Sequence, residues 1–498
     1  MPEASPSPPR VVSIGSRLPS FLLGLGAFLL ALLLGQEVFY KADGQRLVQG
    51  ITDPNFVWPQ HRAWLPTARL LHALLSPLRL SPFETARLLS ALGYALAATC
   101  LHRGFRLLAT GNGNADPPPV LLPTFLVLLC PPVLFFATVI EFHGLFFGTA
   151  AFSFWLFSRF DRRPTVLRAL LLGAATAAAT AYHASGLALP AVFLPWFLAR
   201  RLRSGPGIPP AEKSSGPEAP RSTREGLVPW GLLLLSAAAH AVLVWLAADP
   251  DRSADFVRGG FRHPQGLEWL PLVLRQEALL PFLPLSLLWF PALFRRATRP
   301  EALAFVLSCL PYSWGALMLL VGEEERGAYL LPLAIPAAWL AARALPRPAA
   351  LLALGLSAVL AVAAVRRHDD PSAYRAFARA VREATGDRPA LVLVGDGLEL
   401  SALLSELPDW RAQALDLVAP LEARQVRLLF PRFAEGIREA RAKGLEVYLS
   451  EGGRRYLADP KAHLHGAGPV FLRLLEEGFR LLEVRSSRPR FWRLVPRS

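Results

Sequence analysis

In the stretch YKADGQRLVQG, Asp43 is followed by Gly44. A carboxylate there could serve as a general base, taking a proton from an incoming hydroxyl at hydrogen-bond distance, and the glycine would let a substrate come close. Its ordinary reading is a solvated loop aspartate, or a cap for the amphipathic segment that follows. Glu141 stands in FFATVIEFHGLFFG with His143 as almost its only polar neighbour. A carboxyl group in such surroundings resists ionisation unless it is paired. It is either half of a Glu/His pair at a tight turn, or a second site carboxylate that orients an acceptor or binds a divalent ion. Two acids and a histidine would make a thin metal shell, so a divalent cation is left open. His183 adjoins Tyr182 in AAATAYHASGLALP and reads as an interface residue at a helix end. Arg326 and Tyr329 lie in GEEERGAYLLPLAIP, and His61 and Arg62 open HRAWLP. The planar fork of an arginine suits a phosphate, although the three glutamates before Arg326 compete for it as surface partners.

The elements that would position these groups follow from hydropathy. The chain has 498 residues, 53% of them hydrophobic. The excess is gathered in long blocks near 18–35, 84–101, 119–139, 144–158, 164–181, 184–199, 228–247, 278–294, 301–321, 328–345 and 349–365. That pattern predicts a polytopic α-helical membrane protein of about eleven transmembrane helices. Arginines crowd alternate connections: Arg10 and Arg17, Arg103 and Arg106, Arg159 to Arg163, Arg200 to Arg203, Arg295 to Arg299, Arg343 and Arg347. By the positive-inside rule these face the cytoplasm, as does the N-terminus. Asp43, His61, Arg62, Glu141, His143, His183, Arg326 and Tyr329 then share the outer side. Intramembrane or juxtamembrane acids are costly and usually face a water-filled cavity. The first block has the basic lead-in of a signal peptide, but Asp43 is expected outside whether or not it is cleaved. The segment 61–82 suits an amphipathic helix lying in the interface.

The net charge of +15 would raise nucleic acid as a partner in a soluble protein. Here the arginines sit between apolar blocks, and no nucleic acid is expected. Cys100, Cys130 and Cys309 fall inside apolar blocks, which suggests neither a disulfide framework nor a zinc site built on cysteine. The Pro-, Gly- and Ser-rich stretch 204–226 reads as a flexible cytosolic linker. GNGNADPPP at 111–119 and VGDG at 394–397 are turns rather than phosphate loops, because neither has the rest of such a motif. Residues 1–365 therefore form the transmembrane domain. Residues 366–498 form a small α/β domain, extracytoplasmic if the helix count is odd, with a strand at PALVLVGDG, helices at 398–406 and near 432–443, a strand at LEVYLS and a terminal hairpin.

In this order of parts the chain resembles the GT-C superfamily of integral-membrane glycosyltransferases, the group of the dolichyl-phosphate-mannose protein mannosyltransferases and the bacterial aminoarabinose transferases. The residues that carry the resemblance are the first outer acid in YKADGQRLVQG, the His/aromatic/Pro opening PQHRAWLP, the acid and aromatic of IEFHG, and ERGAYLLPLAIP. The resemblance implies a polyprenyl-phosphate sugar donor entering from the bilayer, a glycan, lipid or protein acceptor, and Asp43 as base. It also implies Glu141 as a second active-site acid and Arg326 as a ligand of the donor phosphate. His183 stands where the family often has a lysine or other polar group, and Asp43 is followed by glycine where a second acid is frequent. His61 and Arg62 are expected near the donor phosphate with Tyr329, and His143 beside the acceptor.

Two readings from other classes are a transporter or flippase and a non-catalytic membrane scaffold. The first calls for polar residues at helix midpoints and a repeat between halves, whereas the helix interiors here are nearly free of charge. The second leaves Asp43 and Glu141 replaceable. Abundant Arg, Ala, Leu and Pro with little Lys suggests a GC-rich genome and a bacterial inner membrane.

Overall fold

The computed structural model describes residues 18–40, 42–54, 56, 61–110, 120–204, 223–247, 271, 274–317, 326–395, 397–407, 409–415, 418, 421–460, 463, 466–484 and 489–497. Most of the expected linker 204–226, the glycine-rich 111–119, the outer loop 248–268, Glu323 to Glu325 and Asp396 of VGDG lie outside the described residues.

Each of the eleven apolar blocks contains helix among its described residues. In chain order the helices are α1 (Leu18–Leu33), α2 (Ala42–Thr52), α3 (Trp64–Leu74), α4 (Pro82–Thr110), α5 (Leu121–Leu128), α6 (Pro131–Thr138), α7 (His143–Arg162), α8 (Val166–Tyr182), α9 (Leu189–Ser204), α10 (Thr223–Ala247), α11 (Arg299–Leu317), α12 (Ala334–Ala344) and α13 (Arg347–His368). The block 119–139 is broken at Pro131, and its halves bend by 62°. The block 278–294 is also broken, into a wide turn at Leu274–Leu279 and two short helices at Leu285–Leu288 and Pro291–Phe294. Proline explains both breaks, since it lacks an N–H and crowds the preceding turn. Among the described residues one run, Arg347–Thr385, is long and apolar enough to cross a membrane, or two if the bent pair counts as one span. Six further apolar helices run 10–17 residues.

Helices α1 and α13 are packed with their small residues inward. In α1 the buried positions are Ser20, Gly24, Ala27 and Ala31, and in α13 they are Ala350, Ala353, Ser357, Ala361 and Val365. Leu22, Leu25, Leu29, Leu351, Leu352 and Val359 are exposed instead. Small residues let helix backbones approach closely, and the large apolar side chains are left on the outer surface. The α4–α7 contact is of this kind, because a Cβ on Gly93 or Gly148 would overlap the backbone of the facing helix.

Beyond α13 come α14 (Ser372–Thr385), β1 (Ala390–Val394), α15 (Gly397–Glu406), β2 (Arg411–Ala414), α16 (Ala423–Ala442), β3 (Glu446–Ser450), α17 (Glu451–Ala458), α18 (Gly468–Gly478), β4 (Phe479–Val484) and β5 (Phe491–Pro496). The described strands form one sheet in the order β2-β1-β3-β5-β4. The first three strands are parallel and the last two antiparallel. Period-two alternation divides its faces: Val392 and Val394 pack with α14 and α15, whereas Leu393 and Leu449 pack with α16, α17 and α18. α16 starts earlier than its hydropathy suggests because Glu422 and Gln425 form a capping box.

Candidate active site

The first positioning device is the segment after α1. Gln36 is clamped to the end of α6, its backbone N–H donating to the Thr138 carbonyl at 2.9 Å and its side-chain amide to Thr138 Oγ1 at 2.8 Å. Arg87 of α4 donates to the Gly35 carbonyl at 3.0 Å. The chain is thereby held so that Tyr40 meets Phe135 and Phe136 edge-on, with centroids 5.2 and 5.5 Å apart.

Asp43 stands in the first turn of α2, half-buried. The sequence offered either a loop position or a cap of the amphipathic segment that follows; that segment is helical from Ala42, one residue earlier. A carboxylate at a helix N-terminus is favoured by the unsatisfied N–H groups and the dipole. Gly44 lies so close to Ile140 that a Cβ would overlap the Ile140 carbonyl oxygen. The turn bearing Asp43 therefore abuts the turn bearing Glu141. The far end of α2 is held by Arg69 of α3, which donates to the carbonyls of Gly50 at 2.8 Å, Asp53 at 2.6 Å and Phe56 at 2.8 Å.

Glu141 is 2% exposed and its carboxylate lies 3.8 Å from His143 Nδ1. His143 opens α7 and begins a chain of rings. Its centroid is 4.9 Å from that of His183, which in turn is 5.3 Å from His61 and 4.7 Å from Tyr329. His61 lies flat on Phe142. The hydrogen bonds assign the tautomers. His61 Nδ1 faces the Tyr182 carbonyl at 2.9 Å and must donate, whereas His183 Nδ1 accepts from the Ser185 N–H at 3.1 Å. Burial pulls the His61 pKa down to about 3, partly offset by the Tyr182 carbonyl. Burial, then the neighbouring His61, holds His183 well below the ordinary histidine range. Both rings are therefore neutral at physiological pH. Arg62 is exposed in the turn that leads into α3.

Arg326 has φ 48° and Gly327 φ 80°. Left-handed backbone is costly for a residue with a Cβ and persists where the surroundings impose it. Here the Gly327 N–H donates to Glu277 Oε2 at 2.7 Å, and Glu277 is itself only 3% exposed. The resulting turn sets the Arg326 guanidinium over the rings of Tyr40 and Phe135, 5.4 and 5.3 Å from their centroids. Tyr329 follows within the next turn, its carbonyl accepting from Tyr312 Oη at 3.0 Å.

The structure thus brings Glu141, His143, His183, His61 and Tyr329 into one ring cluster. It joins Arg326 to that cluster through Tyr40, Phe136 and His143, and sets the Asp43 turn against its edge. Sequence reasoning missed Tyr40, Glu277 and the capping role of Arg69. An acid at the edge of an apolar block, as Glu277 is after Arg275 and Gln276, was the available signal. Among the described residues no three of His, Cys, Asp and Glu gather as a metal site. The carboxylate–histidine pair at 141 and 143 is the nearest approach to a donor set.

No protein-family model and no curated sequence matches the chain. Solved structures do match it. ArnT from Cupriavidus metallidurans aligns over 96% of this chain and 98% of its own, with a TM-score of 0.51 at 12% identity. The Archaeoglobus fulgidus oligosaccharyltransferase aligns over 92% of this chain and 71% of its own, with a TM-score of 0.50 at 12% identity. The chain therefore shares its overall fold with ArnT and with this oligosaccharyltransferase.

Proposed function

We propose that the protein transfers a sugar from a polyprenyl-phosphate-linked donor to an acceptor at the outer face of a membrane, with Asp43 as general base. The observation that carries this reading is the arrangement of three parts: the Asp43 turn abuts the Glu141 turn, and Arg326 lies over Tyr40, which reaches the Glu141 side through Phe136 and His143. The acceptor hydroxyl gives its proton to the Asp43 carboxylate while its oxygen attacks the anomeric carbon. The bond from that carbon to the phosphate oxygen breaks, and polyprenyl phosphate leaves with the electron pair. Arg326 and Tyr329 face the phosphate, where a fixed cation stabilises charge as it develops. The neutral rings of His61 and His183, with Arg62 in the turn before α3, complete the donor side. Glu141, with His143 beside it, orients the acceptor.

In this reading the helices up to α13 span a bacterial inner membrane about eleven times. The N-terminus lies in the cytoplasm and residues 366–498 lie outside. The small-inward, large-outward packing of α1 and α13 supports the membrane setting. The fold shared with ArnT and an oligosaccharyltransferase supports the reaction class. A divalent cation has Glu141 and His143 as its available ligands, and no step above depends on it.

The test is transfer of label from a panel of radiolabelled polyprenyl-phosphate sugars in membranes carrying wild type or Asp43→Asn. Transfer by wild type that falls at least 100-fold in an equally expressed Asp43→Asn protein is expected. Retained activity in that variant sinks the assignment of the base. No transfer with any donor turns the reading toward a scaffold.

A further inference from the structure

Arginines gather at the corner where α4 and α7 finish and α8 begins. Arg103 belongs to the closing part of α4, Arg159 and Arg162 to the last turn of α7 with Arg163 as its C-terminal cap, and Arg168 to the first turn of α8. From Arg159 to Arg168 the chain has a single acid, Asp161. The helix dipole favours cations at the end of α7, but it opposes one at the start of α8. Like charges four residues apart, as Arg159 and Arg163 are, repel each other.

The packing nevertheless draws these groups together. Arg168 Nη1 donates to the Arg159 carbonyl at 2.8 Å and to the Arg163 carbonyl at 2.9 Å. Arg162 Nη1 reaches Thr110 Oγ1 at the end of α4, at 3.4 Å. The guanidinium groups of Arg103 and Arg159, carried by different helices, stand over the one ring of Trp155, 5.8 and 5.2 Å from its centroid. A charge bias that only oriented the chain would let these side chains stand apart in water. Just inside this rim the surface is apolar. Trp155 is half-buried, and Val166, Leu167, Leu170 and Leu171 of α8 are exposed. A cationic rim above an indole and bare leucines is complementary to a molecule with an anionic head and hydrocarbon tails.

We propose that this corner binds an anionic phospholipid, with Arg103, Arg159 and Arg163 on its phosphate and the acyl chains along Trp155, Leu167 and Leu170. The inference uses the membrane setting proposed above but not the transfer reaction, since the corner lies at the far end of α7 from His143. In that topology the lipid belongs to the cytoplasmic leaflet. Guanidinium forks give a phosphate paired, charge-assisted contacts. The bound phosphate offsets the repulsion among the arginines and ties α4, α7 and α8 together.

The experiment is native mass spectrometry of the full-length protein in detergent with equal amounts of phosphatidylglycerol and phosphatidylcholine. It compares wild type, Arg163→Gln, the pair Arg103→Gln with Arg159→Gln, and a control pair, Arg296→Gln with Arg299→Gln, that removes the same charge from another connection. Wild type is expected to retain phosphatidylglycerol in preference. That preference is expected to fall at least fivefold in the Arg103 and Arg159 pair, because one basic side chain near an anionic surface contributes about that factor. It should fall in Arg163→Gln as well, which leaves both contacts on Trp155 in place. The control pair is expected to keep the wild-type preference, and phosphatidylglycerol to raise the melting temperature of wild type and control but not of the Arg103 and Arg159 pair. An equal fall in the control overturns the inference, because net charge alone then sets the preference. Loss of the preference in excess inorganic phosphate also overturns it, since the arginines then hold a soluble anion. If wild type retains both lipids equally, this site falls and the membrane setting stands; if it retains neither, both fall.

Discussion

Gly44 and His61 show how much of the site depends on single side chains, or on the lack of one. A methyl group on Gly44 would overlap the Ile140 carbonyl oxygen and also stand 3.1 Å from Phe39 Cδ1. Backbone cannot yield as a flexible side chain can, so Gly44→Ala must push α2 away from the Glu141 turn. Overpacking of this kind costs about 1–3 kcal/mol. The expected outcome is a lower melting temperature together with a fall of at least tenfold in turnover, measured side by side in detergent. His61 gives a pH signature. Its folded-state pKa of about 3 lies below the ordinary histidine value of about 6.5, so below pH 6.5 the unfolded chain takes up a proton that the native ring refuses. Stability is therefore highest above that point and falls as the pH drops towards 3, by on the order of 4 kcal/mol for this ring if the whole window is crossed. His183 acts in the same direction. Melting temperatures of wild type and His61→Phe between pH 7 and pH 4 would show it: the variant is expected to lose less stability on acidification, and parallel curves would refute the assignment. The residue types and the Glu141/His143 pair were legible in the sequence, but the wider cluster was not. Glu141 and His143 are two apart in the chain, whereas His61, His183 and Tyr329 meet only after the helices pack.

Among the elements, α2 is the least self-sufficient. It has 11 residues, a length at which an isolated helix is marginal in water, so its ends must be held from outside. Asp43 complements the N-terminus, and Arg69 satisfies carbonyls at and beyond the C-terminus. Hydrogen bonds from a charged donor contribute about 1.5–3 kcal/mol in favourable cases. Arg69→Gln is therefore expected to destabilise the protein by roughly 2 kcal/mol and to lower transfer, although Arg69 is remote in sequence from the proposed base. Arg69→Lys should recover little, because one ammonium cannot reproduce the planar fork. Full recovery in that variant would assign the effect to charge alone. Hydropathy located every helical block, since block length and apolarity are local properties. It did not reveal the 62° bend between α5 and α6 or the wide turn holding Glu277, because both depend on where proline-broken backbone finds partners. The capping box that starts α4, with the Glu84 carboxylate accepting the Ser81 N–H at 2.7 Å, was readable as Ser-Pro-Phe-Glu.

Across the whole molecule, the site is completed where the segment after α1 meets the start of the C-terminal sheet unit, more than 300 residues later in the chain. Glu37 donates its N–H to Asp369 at 2.8 Å, and Tyr374 Oη donates to the Phe39 carbonyl at 2.7 Å. Val38 is buried in the apolar cluster formed by α14, α15 and the sheet. No sequence period could announce this contact, because it joins a polar connection to a helix that reads by itself as an ordinary amphipathic one. Its consequence is mechanical, since Phe39 and Tyr40 lead directly into the Asp43 turn and any slack between α14 and this segment reaches the proposed base. Tyr374→Phe keeps the ring and its packing but removes the donor. It leaves a buried carbonyl without that partner, at a cost of about 1–3 kcal/mol. Amides of residues 36–40 are then expected to exchange with solvent faster, while those of β1 and β3 keep their wild-type protection, and transfer should fall several-fold. If exchange rises equally in the sheet, Tyr374 supports the C-terminal fold rather than the joint. If neither exchange nor transfer changes, the joint does not position Asp43, and the base must be held by α3 and Arg69 alone.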